Sequence, residues 1–436
     1  MVAGTRTDRF IVETTGRRGL QGLDVVHEMP GVDFAVVRGS ESELEDARGV
    51  KGYAPDIEIE LVEPDVNEEA PTVEETSVED EPYYPLQWDK QALDIPDAHE
   101  TTKGEGTRVA IIDTGVAAGH PDLEVNEELS RNFTGDGFGA ANAAGGYHGT
   151  HVGGIVAAQT DNDMGVAGTA PETDLVDCRV FSPESLASFG DILAAVLYSA
   201  EIGADAANLS LGAYPVARNG YGEFYGKVLN RTMTYANKEG TLLVIAAGND
   251  SADLQHDGRV CPEDEEGNIE ECFAAISLPN EGAQALSVSA TGPIGFRWGD
   301  EGLEAPPESP AFYTNYGTNA VDIGAPGGDA DLDASDNEVP GWYYDLVLNT
   351  IAVPEYERDD DDTVTDYLGA AYTYDWLAGT SMAAPQVAGA AALVKSVNPD
   401  YTANQVESAL KRAADVPDGY DKAYYGSGFL NIVDAL

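Results

Sequence analysis

An α/β fold, a mainly parallel sheet flanked by helices with a small α+β unit ahead of it, is what this 436-residue sequence predicts. Two observations lead there. From residue 82 onward, short apolar runs alternate with helix-like segments, the pattern of strands joined by crossover helices. Residues 1–62 carry a separate, smaller set of strand and helix signals. Between the two, residues 63–81 read EPDVNEEAPTVEETSVEDE, acidic and almost free of large apolar side chains, which is the composition of a linker.

In the first unit, Arg9–Glu13 and Phe34–Val37 have strand character, and Ile57–Leu61 alternates apolar with acidic residues. Ser40 followed by Glu43 is a capping box that opens a short helix. Aromatic residues return after the linker at Pro82. Buried strands are then expected at Arg108–Ile112, Asp174–Val180, Ala206–Leu209 and Leu242–Ala246. Helical segments Asp191–Ile202 and Tyr225–Lys238 separate the last three, so these strands are expected to run parallel. Helices also follow His148 and Ser381, and Thr402 with Gln405 caps another. Residues 250–273 and 329–374 read as long surface loops, most acidic at Asp359–Asp362.

Composition excludes several classes of partner. Lys and Arg number 23 against 78 Asp and Glu, a net charge of −55, and only eight of the bases are lysine. Nucleic acid and anionic membrane surfaces repel such a chain. The acids are spread between apolar segments, and hydrophobic residues make up 42%, so a folded core under an acidic, hydrated surface is expected. Lysine-poor acidic surfaces resemble those of salt-adapted proteins, in which counter-ions screen self-repulsion. The longest apolar stretch beside a helix, Met382–Val394, contains Pro385 and Gln386 and falls short of a membrane span. Met1 is followed by polar residues, without the apolar run of an export signal. Cys261 and Cys272 flank an acidic loop and are placed to close a short disulfide, which suits an oxidising compartment. Cys178, inside LVDCRVF, reads as a buried thiol.

Four segments carry chemistry. In an open α/β sheet, reacting groups gather at the carboxyl ends of strands, and Asp113 stands there, directly before Thr114-Gly115. His148, in HGTHVGG, opens a helix of small residues and is placed to act as a general base. The HGTH spacing lacks the glutamate of the zinc-protease helix, so a metal pair is disfavoured and His151 reads as structural. Ser381, in GTSMAAP, sits at a helix start, whose N–H groups and dipole favour a developing oxyanion. Asn249, in AAGN, ends a strand and can offer its side-chain amide to the same charge. Singly, each has a plainer reading as a turn, cap or core residue.

Together, in the order Asp, His, Ser, the segments AIIDTG, HGTHVGG, AAGN and GTSMAAP resemble the active-site blocks of the subtilase family. The resemblance covers about residues 82–436, and the acidic bias resembles the halolysin branch. It implies a subtilisin-like fold and a secreted, monomeric serine endopeptidase acting on proteins and peptides. Asp113 would orient the imidazole, His148 serve as base and then acid, Ser381 attack, and Asn249 hold the oxyanion. Residues 1–62 resemble the family's propeptide, which implies an intramolecular inhibitor removed on maturation.

Ser210-Leu211-Gly212 matches the family segment that pairs with an extended substrate. Ala247 and Gly248 match the floor of the first specificity pocket and imply an open apolar slot. The opposite wall, Phe181–Ala187, departs from the family's glycine-rich stretch. A structural calcium ion is implied by Asp122 and Asn162, with Gln159, Met164 and Val166 from the same loop, and Glu81 as a further ligand. Two other classes compete: a narrow-specificity proprotein processor, and a non-catalytic pseudoprotease acting as a scaffold.

Overall fold

The computed structural model describes residues 2–61, 81–183, 186–218, 220–255, 260–261, 272–299 and 302–436. The expected linker, apart from Glu81, lies outside these residues, as does the interior of the Cys261–Cys272 loop.

Residues 2–61 form β1 (Val2–Thr14), β2 (Asp24–Met29), β3 (Phe34–Arg38), α1 (Glu41–Asp46) and β4 (Val50–Glu60). The capping box of α1 is made: Ser40 N–H donates to Glu43 Oε2 at 2.7 Å. The strands order β2-β3-β1-β4, all antiparallel. Alternation along each strand feeds two cores. Phe10, Val12 and Val37 pack with Leu44 of α1, while Ile11, Phe34, Val36 and Ile57 join the core of the larger domain.

That domain is built on seven parallel strands: β5 (Arg108–Asp113), β6 (Arg131–Asn132), β7 (Asp174–Arg179), β9 (Ala206–Leu209), β11 (Leu242–Ala246), β13 (Ala285–Thr291) and β14 (Ile323–Pro326). Their order is β14-β13-β11-β9-β5-β7-β6. Helices α4 (His148–Ala157), α8 (Thr380–Val397) and α9 (Ala403–Ala413) cover one face; α5 (Phe189–Glu201) and α6 (Gly222–Glu239) cover the other. Val109 and Ile111 face the first layer, Ala110 and Ile112 the second, which is why the strands are apolar throughout. Short helices α2 (Trp88–Ala92), α3 (Ile95–His99), α7 (Leu332–Asp336) and α10 (Ile432–Ala435) complete the domain, with a small antiparallel pair, β10 (Ala213–Ala217) and β12 (Ala275–Leu278). No helix among the described residues is long and apolar enough to cross a membrane.

The segment 329–374, expected as a surface loop, contains α7 and most of a long antiparallel ribbon, β15 (Val347–Arg358) and β16 (Val364–Leu377). Val347, Leu348, Ile351 and Tyr374 are buried against α4 and its neighbours; the acidic tip hid a ribbon whose base is core. Lys90, also fully buried, spends all three ammonium protons between layers: on the Ile155 carbonyl of α4 (3.0 Å), Thr169 Oγ1 (2.8 Å) and Gln386 Oε1 of α8 (2.6 Å).

The N-terminal unit meets the domain through β8 (Leu186–Ser188), which pairs antiparallel with β4, placing Ile59 opposite Ala187 and Glu60 opposite Leu186. Charges are buried beside this seam. Arg9 pairs with Asp56 at 2.9 Å and with Asp191 of α5, and His27 Nε2 lies 2.6 Å from Asp191 Oδ1. Arg9 is 2% exposed. Removing one partner of a buried pair strands the other charge, at a cost of about 3–5 kcal/mol. Asp191→Ala is therefore expected to loosen the unit, read as faster hydrogen exchange of the β4 amides; unchanged protection there would show that the pair does not hold the seam.

Candidate active site

β5 and β9 are neighbours from which the chain winds outward in opposite directions, toward β7 on one side and β11 on the other. The crevice above such a switch point is where ligands bind in open α/β sheets. Asp113 ends β5, fully buried, and its Oδ1 lies 2.8 Å from His148 Nδ1. The same oxygen accepts Thr114 N–H at 2.7 Å. An acceptor-only carboxylate requires the imidazole proton on Nδ1, which makes Nε2 the unprotonated nitrogen, able to accept a proton. His148 is held at the first turn of α4, where Thr114 Oγ1 accepts Gly149 N–H at 2.8 Å and donates to the Gly146 carbonyl at 3.2 Å.

Ser381 is the second residue of α8, 9% exposed. Its hydroxyl donates to the Ser210 carbonyl at 3.1 Å, and Ser210 Oγ donates to the Ser381 carbonyl at 2.7 Å, so the residue after β9 clasps the start of α8. Asn249 is oriented by Thr380: its Oδ1 accepts Thr380 N–H at 2.9 Å and Thr380 Oγ1–H at 2.8 Å. With the oxygen so engaged, the amide NH₂ is left as the group to offer a ligand.

A cleft of about 360 Å³ joins Ser381, Thr380 and Asn249 to Ser210, Leu211, Gly212, Ala246 and Gly248. Glu60 and Leu61, at the end of β4, line the same cleft. An extended strand of the chain's own N-terminal unit thus enters the crevice along β8. Ala246, not Ala247, stands on the wall. Ala247 is fully buried, its N–H donating to the Val288 carbonyl and its own carbonyl accepting from Asn315 Nδ2. Ala213, Tyr214, Asp250 and Ser277 line the cleft as well and went unseen in the sequence. Asp250 directly follows Asn249, which is a usable signal. Ser277 arrives through the pairing of β12 with β10, which nothing in the local pattern announces.

Asp122 is fully buried; Oδ1 accepts Asn162 Nδ2–H at 2.8 Å and Oδ2 accepts Val166 N–H at 3.0 Å. Burial pushes its carboxyl up to about 7, with the charge of nearby Glu81 adding to the effect. Glu81 is 2% exposed and its Oε1 accepts Asp161 N–H at 2.5 Å. Gln159 donates its N–H to the Asp122 carbonyl and its side chain to the Pro171 carbonyl, while Met164 is exposed and donates its N–H to Asn162 Oδ1. His151 stands apart from the cleft. Its Nε2–H is shared between the Val347 and Asp375 carbonyls at 3.1 and 3.2 Å, and burial pushes its pKa down to about 3, so it is a neutral staple for the ribbon. Cys261 and Cys272 are joined in a disulfide, and Cys178 is a buried free thiol.

A buried Asp–His pair and a serine at a helix start, on a parallel sheet covered by helices, are features of a subtilisin-like serine peptidase. The chain belongs to the subtilase family, whose profile matches residues 104–428. It is 28% identical to thermitase of Thermoactinomyces vulgaris over 357 residues, 82% of this chain and 98% of that protein. Against subtilisin BL of Lederbergia lenta it is 29% identical, over 79% of this chain and 96% of that one. The solved structure of the epidermin leader peptide processing serine protease of Staphylococcus aureus superposes with a TM-score of 0.72, at 20% identity, over 98% of this chain and 97% of that one. At that identity the likeness concerns the fold.

Proposed function

We propose that the chain is a secreted, self-maturing serine endopeptidase with Asp113, His148, Ser381 and Asn249 as its reacting groups. The 2.8 Å contact of His148 Nδ1 with Asp113 carries the reading, because it makes Nε2 the nitrogen able to take a proton, while Ser381 opens onto the cleft that Asn249 also lines. Ser381 Oγ attacks the peptide carbonyl while its proton passes to His148 Nε2, and the imidazolium then protonates the leaving amine. Water repeats the sequence on the acyl-enzyme. The tetrahedral oxygen takes its negative charge beside the Asn249 amide and the N–H groups opening α8.

Residues 1–61 serve as the chain's own inhibitor, with Glu60 and Leu61 lying in the cleft as a substrate strand would. Maturation is expected to cut shortly after Leu61. The small wall residues Ala246 and Gly248 support a preference for large apolar side chains, whereas Asp250 favours the narrower, processing type of specificity; cleavage profiling on a mixed peptide library separates the two. Export is supported by the disulfide, and the mature enzyme is read as a monomer.

The Asp122 corner suits structural calcium. Two buried carboxylates, Asp122 and Glu81, act on each other there, beside the Asn162 amide and the carbonyls of the 159–166 loop. A hard cation asks for such oxygens. Bound calcium would supply positive charge that holds this corner together.

Ser381→Ala is expected to abolish peptidase activity, remove labelling by a fluorophosphonate, and leave the chain uncut on a gel. A purified variant that still processes itself would refute self-maturation, and a wild-type chain that resists the label would favour the scaffold reading.

Asn249→Ala is expected to lower kcat by about 100- to 1,000-fold, the loss measured when the matching donor is removed from subtilisin. A change confined to KM would rule out the oxyanion role.

Salt and calcium are expected to act separately. The charge of −55 repels itself over roughly 30 Å at 0.01 M salt and roughly 3 Å at 1 M, so the thermal midpoint should climb with salt. Calcium, binding the native state, should add a further rise that a chelator removes. A midpoint flat in salt would sink the first half, and one indifferent to chelator the second.

A further inference from the structure

Asp177 lies in the middle of β7, beside β5 and in register with Ile111, two residues short of Asp113. It is fully buried, and the Val116 N–H, from the segment that follows Asp113, is among the groups facing it. Such a carboxyl is costly unless it does something. Its Oδ2 accepts Ala141 N–H at 2.7 Å. Ala141 sits at φ 56°, a left-handed conformation that an alanine adopts only when its surroundings force it. The alanine is pinned from the other side as well, its carbonyl accepting Ala118 N–H at 3.0 Å.

Ala141 begins the stretch that ends at His148, and that stretch is threaded tightly past the residues following Asp113. Gly145 N–H donates to the Thr114 carbonyl at 3.0 Å. Gly115, at φ 118°, lies so close that a Cβ there would meet the Asn142 carbonyl oxygen at 2.0 Å. Arg179, on the same strand as Asp177, grips the preceding part of the loop through Asp136, at 2.7 and 2.8 Å, and the Gly139 carbonyl. The path from Ala141 to His148 is therefore set from its first residue, with no slack before the imidazole.

We propose that Asp177 is a positioning residue for the Asp113–His148 pair, holding Ala141 in its left-handed conformation and so fixing the register of the loop that delivers His148. This rests on the peptidase reading given above. The isosteric amide keeps an acceptor for Ala141 N–H, while an aliphatic side chain removes it. Glycine at 141 takes the same conformation without restraint, so it relieves the need for the pin. Burial pushes the Asp177 carboxyl up to about 7, with Arg179 on β7 and Asp113 on β5 the charged groups acting on it, in opposite senses. The neutral form thus suffices for the hydrogen bond it accepts.

The test compares processed wild type with Asp177→Asn, Asp177→Leu, Ala141→Gly, and Asp177→Leu combined with Ala141→Gly. Turnover is read on a chromogenic peptide anilide, and the downfield NMR resonance of the His148–Asp113 proton is read alongside. Asp177→Leu is expected to lower kcat by about 100-fold with KM little changed, the scale of a misplacement of roughly 1 Å, and to lose the resonance. Asp177→Asn and Ala141→Gly are expected to keep both, and the double variant to recover at least about tenfold over Asp177→Leu. If the leucine variant fails to fold, Asp177→Ser, too short to reach Ala141, takes its place. A variant without the acceptor that keeps kcat and the resonance, or a double variant no better than the single, overturns the proposal. A wild type that cleaves no peptide refutes the peptidase reading instead, and the resonance then decides the positioning role by itself.

Discussion

The two helices whose first turns carry His148 and Ser381 meet on one buried ammonium. Lys90 binds α4 through the Ile155 carbonyl and α8 through Gln386, and Gln386 in turn gives its NH₂ to Asp89 at 2.7 Å. Burial pushes this lysine down to about 8, so holding a charge there is expensive. What the arrangement secures is registry. All three donors have fixed acceptors on different elements, and a slip of either helix by one turn would leave a charge unpaired in the core. The ribbon β15–β16 is locked to the same frame, since Gly154 of α4 leaves room for Asn349 and Thr350, where a Cβ would lie 2.1 Å from both side-chain oxygens.

Cations are scarce in this chain, and their placement follows a pattern. Arg9 joins the N-terminal unit to α5 through Asp191, Arg179 ties the loop before His148, Arg108 bonds Asp174 across β5 and β7, and Lys411 bridges Asp322 and Glu407. Each sits where two elements must be held in one relative position. The acids outnumber them more than threefold and, among the described residues, mostly face solvent, where a pairing contributes little.

Much of the sheet could be read from the sequence, because strands covered on both faces are apolar throughout. β9 and β11 fall on the expected residues, and β5 extends the expected run by one, to Asp113 itself. Of the four segments that resembled the family's active-site blocks, AAGN and GTSMAAP line one cleft, and the other two are joined by the Asp113–His148 contact. The ribbon was missed because its burial depends on partners distant in sequence, His151 and α4, while its tip is a run of aspartates. Asp177 was missed for a related reason: within LVDCRVF a charged residue reads as an interruption of a strand, although an acid placed between apolar neighbours in a fully covered strand is itself a signal. Ala247 was assigned to the cleft by resemblance, and strand alternation puts Ala246 there instead.

Helix α8 has no wet side near its reactive end: Thr380 through Val394 are all buried. Ions in solution respond to fields that reach the solvent, and the dipole behind Ser381 is enclosed by protein atoms fixed in place. The molecule is in effect two electrical systems in one body. Its exterior feels every change in the salt around it, while the interior that would stabilise an oxyanion carries its own insulation. Such a division lets the surface be rewritten residue by residue for a new environment without retuning the bond-breaking step, and it places the cost of any such rewriting on folding alone.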